Sequence, residues 1–520
     1  MSERSRRSSR RAPAATETEL KLRVPPAQWP RLLASPLLQP SRAGRDIELE
    51  AVYYDTPSRA LSRSRIAYRV RREGRRWVQT LKGGGSESSG LHTRIEVDAP
   101  LDNAVPQPQQ LPRNALTALL REALAGEKLQ PVLQTRIRRH LRMITPARGI
   151  RIEVAFDRGT ISSGGRREAV SEIELELKAG PVEALFDLAS VLVAAHGLTL
   201  EHRSKAARGY ALLDAAPALP VKAQAPVIDG TMDAASLSRV VIAATLAQVQ
   251  ANSHGVLCHD DPEFLHQMRV GLRRLRCALD LFAPQLAGAL EHEAAALREI
   301  GAGLGEARDW DVLIGEILPQ VFAQATPGSA AARLRLACTT VRDRARRKTN
   351  NVIKSIAYNQ SMLALGRHLA VLPAPVSGRS ARRIAADILD ACHARVLKRG
   401  KHLRRQDDEA LHRLRIAVKK LRYAVEFFAG LFDASAMQAQ RAALTRLQDI
   451  LGHINDAAVT APRLEQAQRQ FLRDGRKQQR RWPQSAAQAV VVWQQTLAAA
   501  QRKKLVAAWR RFEKAPQPWR

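Results

Sequence analysis

Apolar and polar side chains alternate with a period of two through much of residues 16–212, the spacing of a half-buried strand. The alternation runs through Glu17-Thr-Glu-Leu-Lys-Leu-Arg23 and through residues 67–82, 92–97, 151–157 and 172–178, with short helical spacing at 115–125 and 182–196. From about residue 231 to 515 the pattern changes to long amphipathic helices with Arg and Lys on their polar faces. Residues 215–226 (AAPALPVKAQAP) read as a Pro/Ala linker within a boundary at 213–230. The chain therefore predicts an α+β, strand-rich domain over 16–212 followed by an all-helical domain over 231–515.

The helical part repeats itself. His266-Gln-Met-Arg-Val-Gly-Leu-Arg-Arg-Leu-Arg276 matches His412-Arg-Leu-Arg-Ile-Ala-Val-Lys-Lys-Leu-Arg422, and Leu304-Gly-Glu-Ala-Arg-Asp309 matches Leu451-Gly-His-Ile-Asn-Asp456. Two copies, about 231–375 and 376–515, predict a pseudo-symmetric helical bundle.

Charge narrows the partners. The chain has 520 residues, with 83 Lys+Arg against 50 Asp+Glu and a formal charge of +33. Such an excess repels itself unless a polyanion is near, so phosphate polymers, nucleic acid and anionic membranes are the classes to weigh. An aromatic content of 4% offers few stacking platforms and disfavours nucleic acid. Apolar runs such as 191–195 and 489–493 fall short of a bilayer span, so no membrane partner is expected. Residues 1–15 carry five Arg without a following apolar run and read as a disordered basic arm. The four cysteines are scattered, as in a reduced, cytoplasmic protein, and no Walker-type loop or H-E-x-x-H motif occurs.

Strand alternation puts Glu17, Glu19 and Lys21 on one face, and the same holds for Arg69 with Arg71, Arg94 with Glu96, Glu153 with Asp157, and Glu172 with Glu174 and Glu176. One such face is ordinary solvated surface; five of them suit a polar lumen. Clustered carboxylates bind Mg²⁺ or Mn²⁺, and clustered Arg and Lys grip phosphate oxygens. Together they suit metal-assisted hydrolysis of a polyphosphate.

The Glu17-x-Glu19-x-Lys21 opening resembles the signature of the CYTH superfamily of triphosphate tunnel metalloenzymes. Tyr53-Tyr-Asp-Thr-Pro57, Tyr68-Arg-Val-Arg71, Leu81-Lys82, Gly90-Leu-His-Thr-Arg-Ile-Glu96, Glu172-Ile-Glu-Leu-Glu176 and Ser204-Lys-Ala-Ala-Arg-Gly-Tyr210 support it in order. The resemblance implies an eight-stranded antiparallel tunnel that binds a linear triphosphate and a divalent metal. It implies metal ligation by Glu17, Glu19, Asp157, Glu172, Glu174 and Glu176. Lys21, Arg69, Arg71, Lys82 and Arg94 would clamp phosphates, with Glu96 in either set. In Thr135-Arg-Ile-Arg-Arg-His140 the phosphate-contacting residue is Arg139, with Arg138 one residue away. Lys205 matches a family lysine near the tunnel mouth or is a solvated surface residue. Residues 83–89 (GGGSESS) read as a flexible rim, and no function attaches to Tyr68.

In the helical repeat, His266, Arg269, Arg273 and Arg276 form one stripe of a helix, opposite the apolar stripe Met268, Leu272, Leu275 and Leu279. His412, Arg415, Lys419 and Arg422 repeat it against Leu414, Val418, Leu421 and Val425. Like charges at i, i+4 destabilise an isolated helix, so a bound anion is expected to compensate. These helices resemble the CHAD domain, a helical module that binds inorganic polyphosphate, and the resemblance implies that the eight stripe residues line a basic groove. Asp309 and Asp456 are expected to cap or brace Arg side chains.

The expectation is a hydrolase acting on phosphoric anhydrides: a metal-dependent inorganic triphosphatase, using Mg²⁺ or Mn²⁺, joined to a polyphosphate-binding domain. Its expected place is the cytoplasm, with association to polyphosphate granules. A non-catalytic granule protein, or a tunnel acting on thiamine triphosphate or ATP, stands as the alternative.

Overall fold

The computed structural model describes residues 15–40, 43–88, 90–214, 218–286, 288–323, 328–371, 378–475 and 482–520. The expected basic arm, apart from Ala15, lies outside the described residues. Contacts divide the chain into two compact units: residues 1–219 with 354–371, and residues 220–353 with 372–520.

The first unit is built on nine strands: β1 (Ala15–Arg23), β2 (Arg45–Asp55), β3 (Ala67–Glu73), β4 (Arg76–Ser88), β5 (Leu91–Leu101), β6 (Gln130–Ile144), β7 (Arg151–Ser163), β8 (Arg166–Ala179) and β9 (Thr199–Leu200). Their order is β5-β4-β3-β2-β6-β7-β8-β1-β9, and a further β1–β5 pairing closes the first eight into an antiparallel barrel. The predicted eight-stranded tunnel is thus the observed one. Closure removes sheet edges and lets alternate residues face a common lumen.

A barrel with a charged interior must draw its apolar burial from its outer face. Leu20 and Leu22 of β1 are fully buried, while Glu19 and Lys21, which alternate with them, line the cavity. On another side Leu61, Ile66, Tyr68, Val70 and Leu81 pack with Leu116 and Leu120 of the helix Ala115–Leu124. Tyr68 belongs to this cluster and donates its hydroxyl to Gln79 Oε1 at 2.5 Å, a packing role. The expected rim at 83–89 is instead largely strand. The β4–β5 register shifts between Gly83 and Ser86, and a Cβ at Gly85 would stand 1.7 Å from the Thr93 carbonyl oxygen. Glycine is needed there for the close backbone approach.

Eight helices carry or support the residues of the two units. They are α1 (Glu183–His196), α2 (Lys205–Leu213), α3 (Ala234–Cys258), α4 (Pro262–Leu281), α5 (Gly305–Val312), α6 (Ile356–Val371), α7 (Asp408–Phe428) and α8 (Ala434–Gly475). Helix α1 packs on β1 and β8, and α6 packs on α1 and β9 within the first unit. Among its described residues, the regular secondary structure of the second unit is all helix. Helix α3 is long and apolar enough by length and composition to cross a membrane, beyond what the short apolar runs suggested. It packs along α4 with Leu237, Val241, Ile242, Leu246 and Val249 buried, as a core helix does.

Candidate functional site

The lumen of the barrel is a cavity of about 340 Å³. It is lined by Glu17, Glu19 and Lys21 of β1, Arg69 and Arg71 of β3, Lys82 of β4, Arg94 and Glu96 of β5, Arg139 of β6, and Glu174 and Glu176 of β8. Eleven of the thirteen residues expected in this tunnel therefore meet in one place. Arg45, Tyr53, Glu153, Lys178 and Lys205 line it as well.

Strand register decides which charges are neighbours. Glu19 of β1 lies opposite Glu176 of β8, and Glu176 lies opposite Glu153 of β7. Like charges directly opposite each other are destabilising, yet here three carboxylates stand in a row across adjacent strands. Lys178 spans two of them, 2.5 Å from Glu176 and 3.7 Å from Glu153. Burial, with Glu17 and Glu153 nearby, raises the Glu176 carboxyl above its usual range despite Lys178. The next register level alternates in sign: Lys21 lies opposite Glu174 and donates to it.

Most of the cations rest against carboxylates. Lys82 lies 2.6 Å from Glu17 and 3.1 Å from Glu96, and Lys21 lies 2.7 Å from Glu19. Burial disfavours the Lys21 ammonium, but Glu174 and Glu19 outweigh it and hold its proton above the lysine range. Arg69 donates to the Tyr53 hydroxyl at 3.3 Å and lies 3.6 Å from Glu96. Arg94 lies 3.1 Å from His92 Nδ1. Burial, helped by the Lys21 charge, pushes His92 down to about 4, so at neutral pH its ring is uncharged.

Asp157 and Glu172 are placed differently from the expectation. Both are buried and neither lines the cavity. With Glu174 they bring three carboxylate oxygens within 4.8 Å of one another, a grouping able to hold a metal. Protein cations already span it. Arg139 grips Asp157 with two hydrogen bonds of 2.7 and 2.6 Å and reaches Glu174 at 2.5 Å. The Lys205 ammonium lies 2.7 Å from Asp157, 2.6 Å from Glu172 and 2.9 Å from Glu174. Arg208 adds a 2.6 Å bond to Glu172. Burial alone would raise the carboxyls of Asp157 and Glu174; Arg139 and Lys205 for the first, and Lys205, Lys21 and Arg139 for the second, pull both below their usual range.

Two ambiguities of the sequence are settled by the geometry. Arg139 faces inward with 19% of its side chain exposed, while Arg138 points outward with 86% exposed and pairs with Glu48. Lys205 is no surface residue, because the Ser204 cap of α2 starts the helix where its first side chain enters the carboxylate trio. Glu153, Lys178 and Arg208 complete the network but were not singled out as site residues. The period-two pattern of β7 and β8 already placed Glu153 and Lys178 on the lumen face.

A divalent cation fits this donor set. The row Glu19, Glu176, Glu153, with Glu17 beside it, supplies hard oxygen donors whose mutual repulsion a dication relieves. The Asp157/Glu172/Glu174 trio has the right chemistry too, but a metal there would have to displace Lys205.

In the second unit, the stripes of α4 and α7 lie opposite their apolar faces as expected, with Met268, Leu272, Leu275, Leu414, Val418 and Leu421 buried. The two stripes approach each other. Burial, Arg415 and Arg273 push the Lys419 ammonium down to about 7, with Asp456 pulling back. Burial pushes Arg269 down to about 10, with Arg273, Arg308 and Arg463 adding to it and Asp309 opposing. The Nε atoms of Arg269, Arg273 and Arg415 are buried without a hydrogen-bond partner among the described residues. Gly305 of the repeated turn lets Arg269 in, since a Cβ there would stand 3.1 Å from its Nη1.

The remaining stripe residues are more self-contained. Arg422 donates to Gln448 at 2.7 Å and to Glu426, His412 lies 2.8 Å from Asn455 Oδ1, and burial and Arg308 lower His266. Arg276 lies beside Arg298 and Asp280. Asp309 accepts from Arg463 and Asp456 faces Arg415, the bracing role expected of them.

Residues 15–210 match the family model of the CYTH domain and residues 240–465 that of the CHAD domain. An inorganic triphosphatase of Haemophilus influenzae is 35% identical over 201 residues, which are 38% of this chain and 54% of that protein; the match thus spans about half of that relative's length. An uncharacterized protein of Mycobacterium tuberculosis is 27% identical over 458 residues, covering 81% of this chain and 82% of its own. The crystal structure of the CHAD domain from Ricinus communis covers 58% of this chain and 98% of its own, at 29% identity and a TM-score of 0.48.

Proposed function

The chain carries a CYTH domain at residues 15–210 and a CHAD domain at 240–465, and from that premise we propose that it is a metal-dependent inorganic triphosphatase with a polyphosphate-binding helical domain. One observation carries the catalytic half: a single lumen holds both a row of facing carboxylates and the cations Lys21, Lys82, Arg69, Arg71, Arg94 and Arg139. An acidic lumen alone would repel a triphosphate, and a basic lumen alone would bind it without a place for a metal.

A cation held by Glu17, Glu19 and Glu176, with Glu153 or Glu174 beside them, would neutralise phosphate charge and orient the attacking water. The chain's own part is an exchange of partners. Lys82 leaves Glu17 and Glu96, and Arg69 leaves Glu96, for phosphate oxygens, where charge-assisted bonds suit the anion. Water then adds to a terminal phosphorus, the P–O anhydride bond breaks, and orthophosphate and pyrophosphate leave. Asp157, Glu172, Lys205 and Arg208 stay paired and hold Arg139 and Glu174 in place.

For the helical domain, the buried guanidinium nitrogens without acceptors and the lowered Lys419 support a polyanion site between the stripes. Mass action then concentrates phosphate chains near the tunnel. Polyphosphate granules in the cytoplasm are the place such a pair of activities would serve.

The test is phosphate release from inorganic triphosphate with Mg²⁺ or Mn²⁺, comparing wild type with Glu17→Ala/Glu19→Ala. Metal-dependent turnover that the double variant loses supports the proposal. No turnover with either metal, in protein that still binds polyphosphate, sinks the triphosphatase, and thiamine triphosphate and ATP become the next substrates to try.

A further inference from the structure

Helix α6 occupies residues 356–371, inside the span that matches the CHAD domain, yet it folds as part of the tunnel unit. Tyr358, Met362, Leu363, Leu365 and Leu369 of this helix are buried, and it packs on α1 and β9. We propose that α6 is a working part of the tunnel and that Asn359 is a positioning residue for triphosphate cleavage, acting through β9 on the Lys21 end of β1. The activity arm of this proposal rests on the triphosphatase assignment; the structural arm does not.

The contacts run in sequence. Asn359 is 2% exposed, and its Oδ1 accepts the Leu200 backbone N–H at 2.9 Å in a buried bond. Its Nδ2 donates to the Ser355 carbonyl at 2.8 Å, which fixes the amide's orientation on its own helix. Leu200 is half of the two-residue strand β9, the last strand of the sheet, paired with Leu22 and Arg23 through Leu200 and Thr199. An edge strand presents backbone N–H groups with no further strand to accept them. Asn359 supplies the acceptor that a tenth strand would have supplied.

Beyond Leu200 the next residue reaches β1. Glu201 donates its N–H to the Lys21 carbonyl at 3.0 Å, and its carboxylate accepts from Arg23 Nε at 2.7 Å. Lys21 in turn carries the ammonium that pairs with Glu19 and Glu174 inside the cavity. So short a strand has few bonds of its own to resist displacement. Its alignment with β1, and with it the backbone that aims Lys21, depends on the anchor from α6. Arg367 of the same helix makes a second, exposed contact at 2.9 Å with Asp187 of α1 and serves as a control.

The experiment uses the full chain with Asn359→Ala, Asn359→Asp and Arg367→Ala. It reads kcat and KM for inorganic triphosphate, the folded fraction under assay conditions, and backbone amide exchange. Asn359→Ala should raise KM about three- to tenfold and lower kcat, because a displaced phosphate contact weakens both the bound substrate and its transition state. A merely smaller folded fraction would lower kcat and leave KM alone. Asn359→Asp keeps the acceptor for Leu200 but loses the donor to Ser355, so it should raise KM less than Asn359→Ala does, and Arg367→Ala should not change it. The Leu200 and Glu201 amides should exchange faster in Asn359→Ala while the β6–β7 pairing does not.

Wild-type KM in Asn359→Ala overturns the proposal. So does equal impairment by the Ala and Asp variants, or exchange that quickens uniformly over the barrel. If the wild type itself cleaves no triphosphate, the triphosphatase assignment fails separately, and the exchange pattern alone decides whether α6 anchors β9.

Discussion

The Lys205 ammonium lies 2.6 Å from the Glu172 carboxylate, tying the helix after the barrel to a strand that carries cavity acids. Removing it should expose what it neutralises. Lys205→Met leaves Asp157, Glu172 and Glu174 with Arg139, Arg208 and Lys21, and breaking a buried pair in this way costs about 3–5 kcal/mol. The urea midpoint of the tunnel should fall accordingly. Mg²⁺ should then stabilise the variant more than the wild type, because a dication can enter the place the ammonium left. An unchanged midpoint would show that the trio does not need Lys205.

Acid should weaken the tunnel in two stages. The unfolded chain protonates His92 near its ordinary 6.5, whereas the folded ring resists until about 4. Its contribution is therefore complete above 6.5 and drains as pH falls toward 4, a loss of about 3 kcal/mol at most. Asp157 and Glu174 have lowered values, so what they contribute holds above their ordinary range and is lost below it. Urea midpoints should begin to drop near pH 6.5, and His92→Gln should shrink that first stage. His202, also held near 4, keeps the rest. A first drop only below pH 4.5 would contradict this.

The polyphosphate binding proposed for the helical domain should take up a proton. Lys419, pushed down to about 7 among Arg415 and Arg273, is partly neutral when the groove is empty and would charge against a bound anion. Affinity should hold below pH 7 and fall above it by up to about tenfold per unit. Lys419→Arg, which stays charged, should bind at pH 6 as the wild type does and lose the decline at pH 8. Titrations of a fluorescent polyphosphate across that range would show either result.

Adjacent arginines on β6 should behave oppositely. Arg139→Ala removes three hydrogen bonds to buried carboxylates and should cost about 3–5 kcal/mol together with triphosphate turnover. Arg138→Ala removes an exposed pair to Glu48 and should stay within about 0.5 kcal/mol of wild type. Denaturant unfolding and phosphate release on the two variants make the comparison.

Much of the tunnel was legible because a strand's period is two and cannot drift. It put Glu17, Glu19 and Lys21 on one face, but left Arg138 and Arg139 open until the bonds of Arg139 to Asp157 fixed the register. Alternation tells which face a residue takes, but not how far along the lumen it sits. Asp157 and Glu172 share the face of the cavity acids and still lie beyond the cavity, beside Lys205 and Arg208, whose helix follows the barrel by 25 residues or more. The stripes of α4 and α7 were legible for the same kind of reason, a helical phase fixed by the apolar side.

Helix α6 was not legible as part of the tunnel. Its apolar stripe announces a buried face but not what covers it, since Leu and Met pack as well on one partner as on another. Only the buried bond from Asn359 to Leu200 identifies the partner, and a lone Asn in a helix gives no sign of that.

That helix also sets a timetable for synthesis. Strand β8 ends at residue 179 and α2 at 213, so the barrel can close early on the ribosome. The α1 surface and the β9 edge that α6 covers must wait until residue 371 has been made. At translation rates of 5–20 residues per second this is a delay of roughly 8–30 s. During that interval the nascent tunnel shows apolar helix and an unpaired strand edge, so it should be a client of ribosome-associated chaperones, and a gene cut at the interdomain linker would make that exposure permanent.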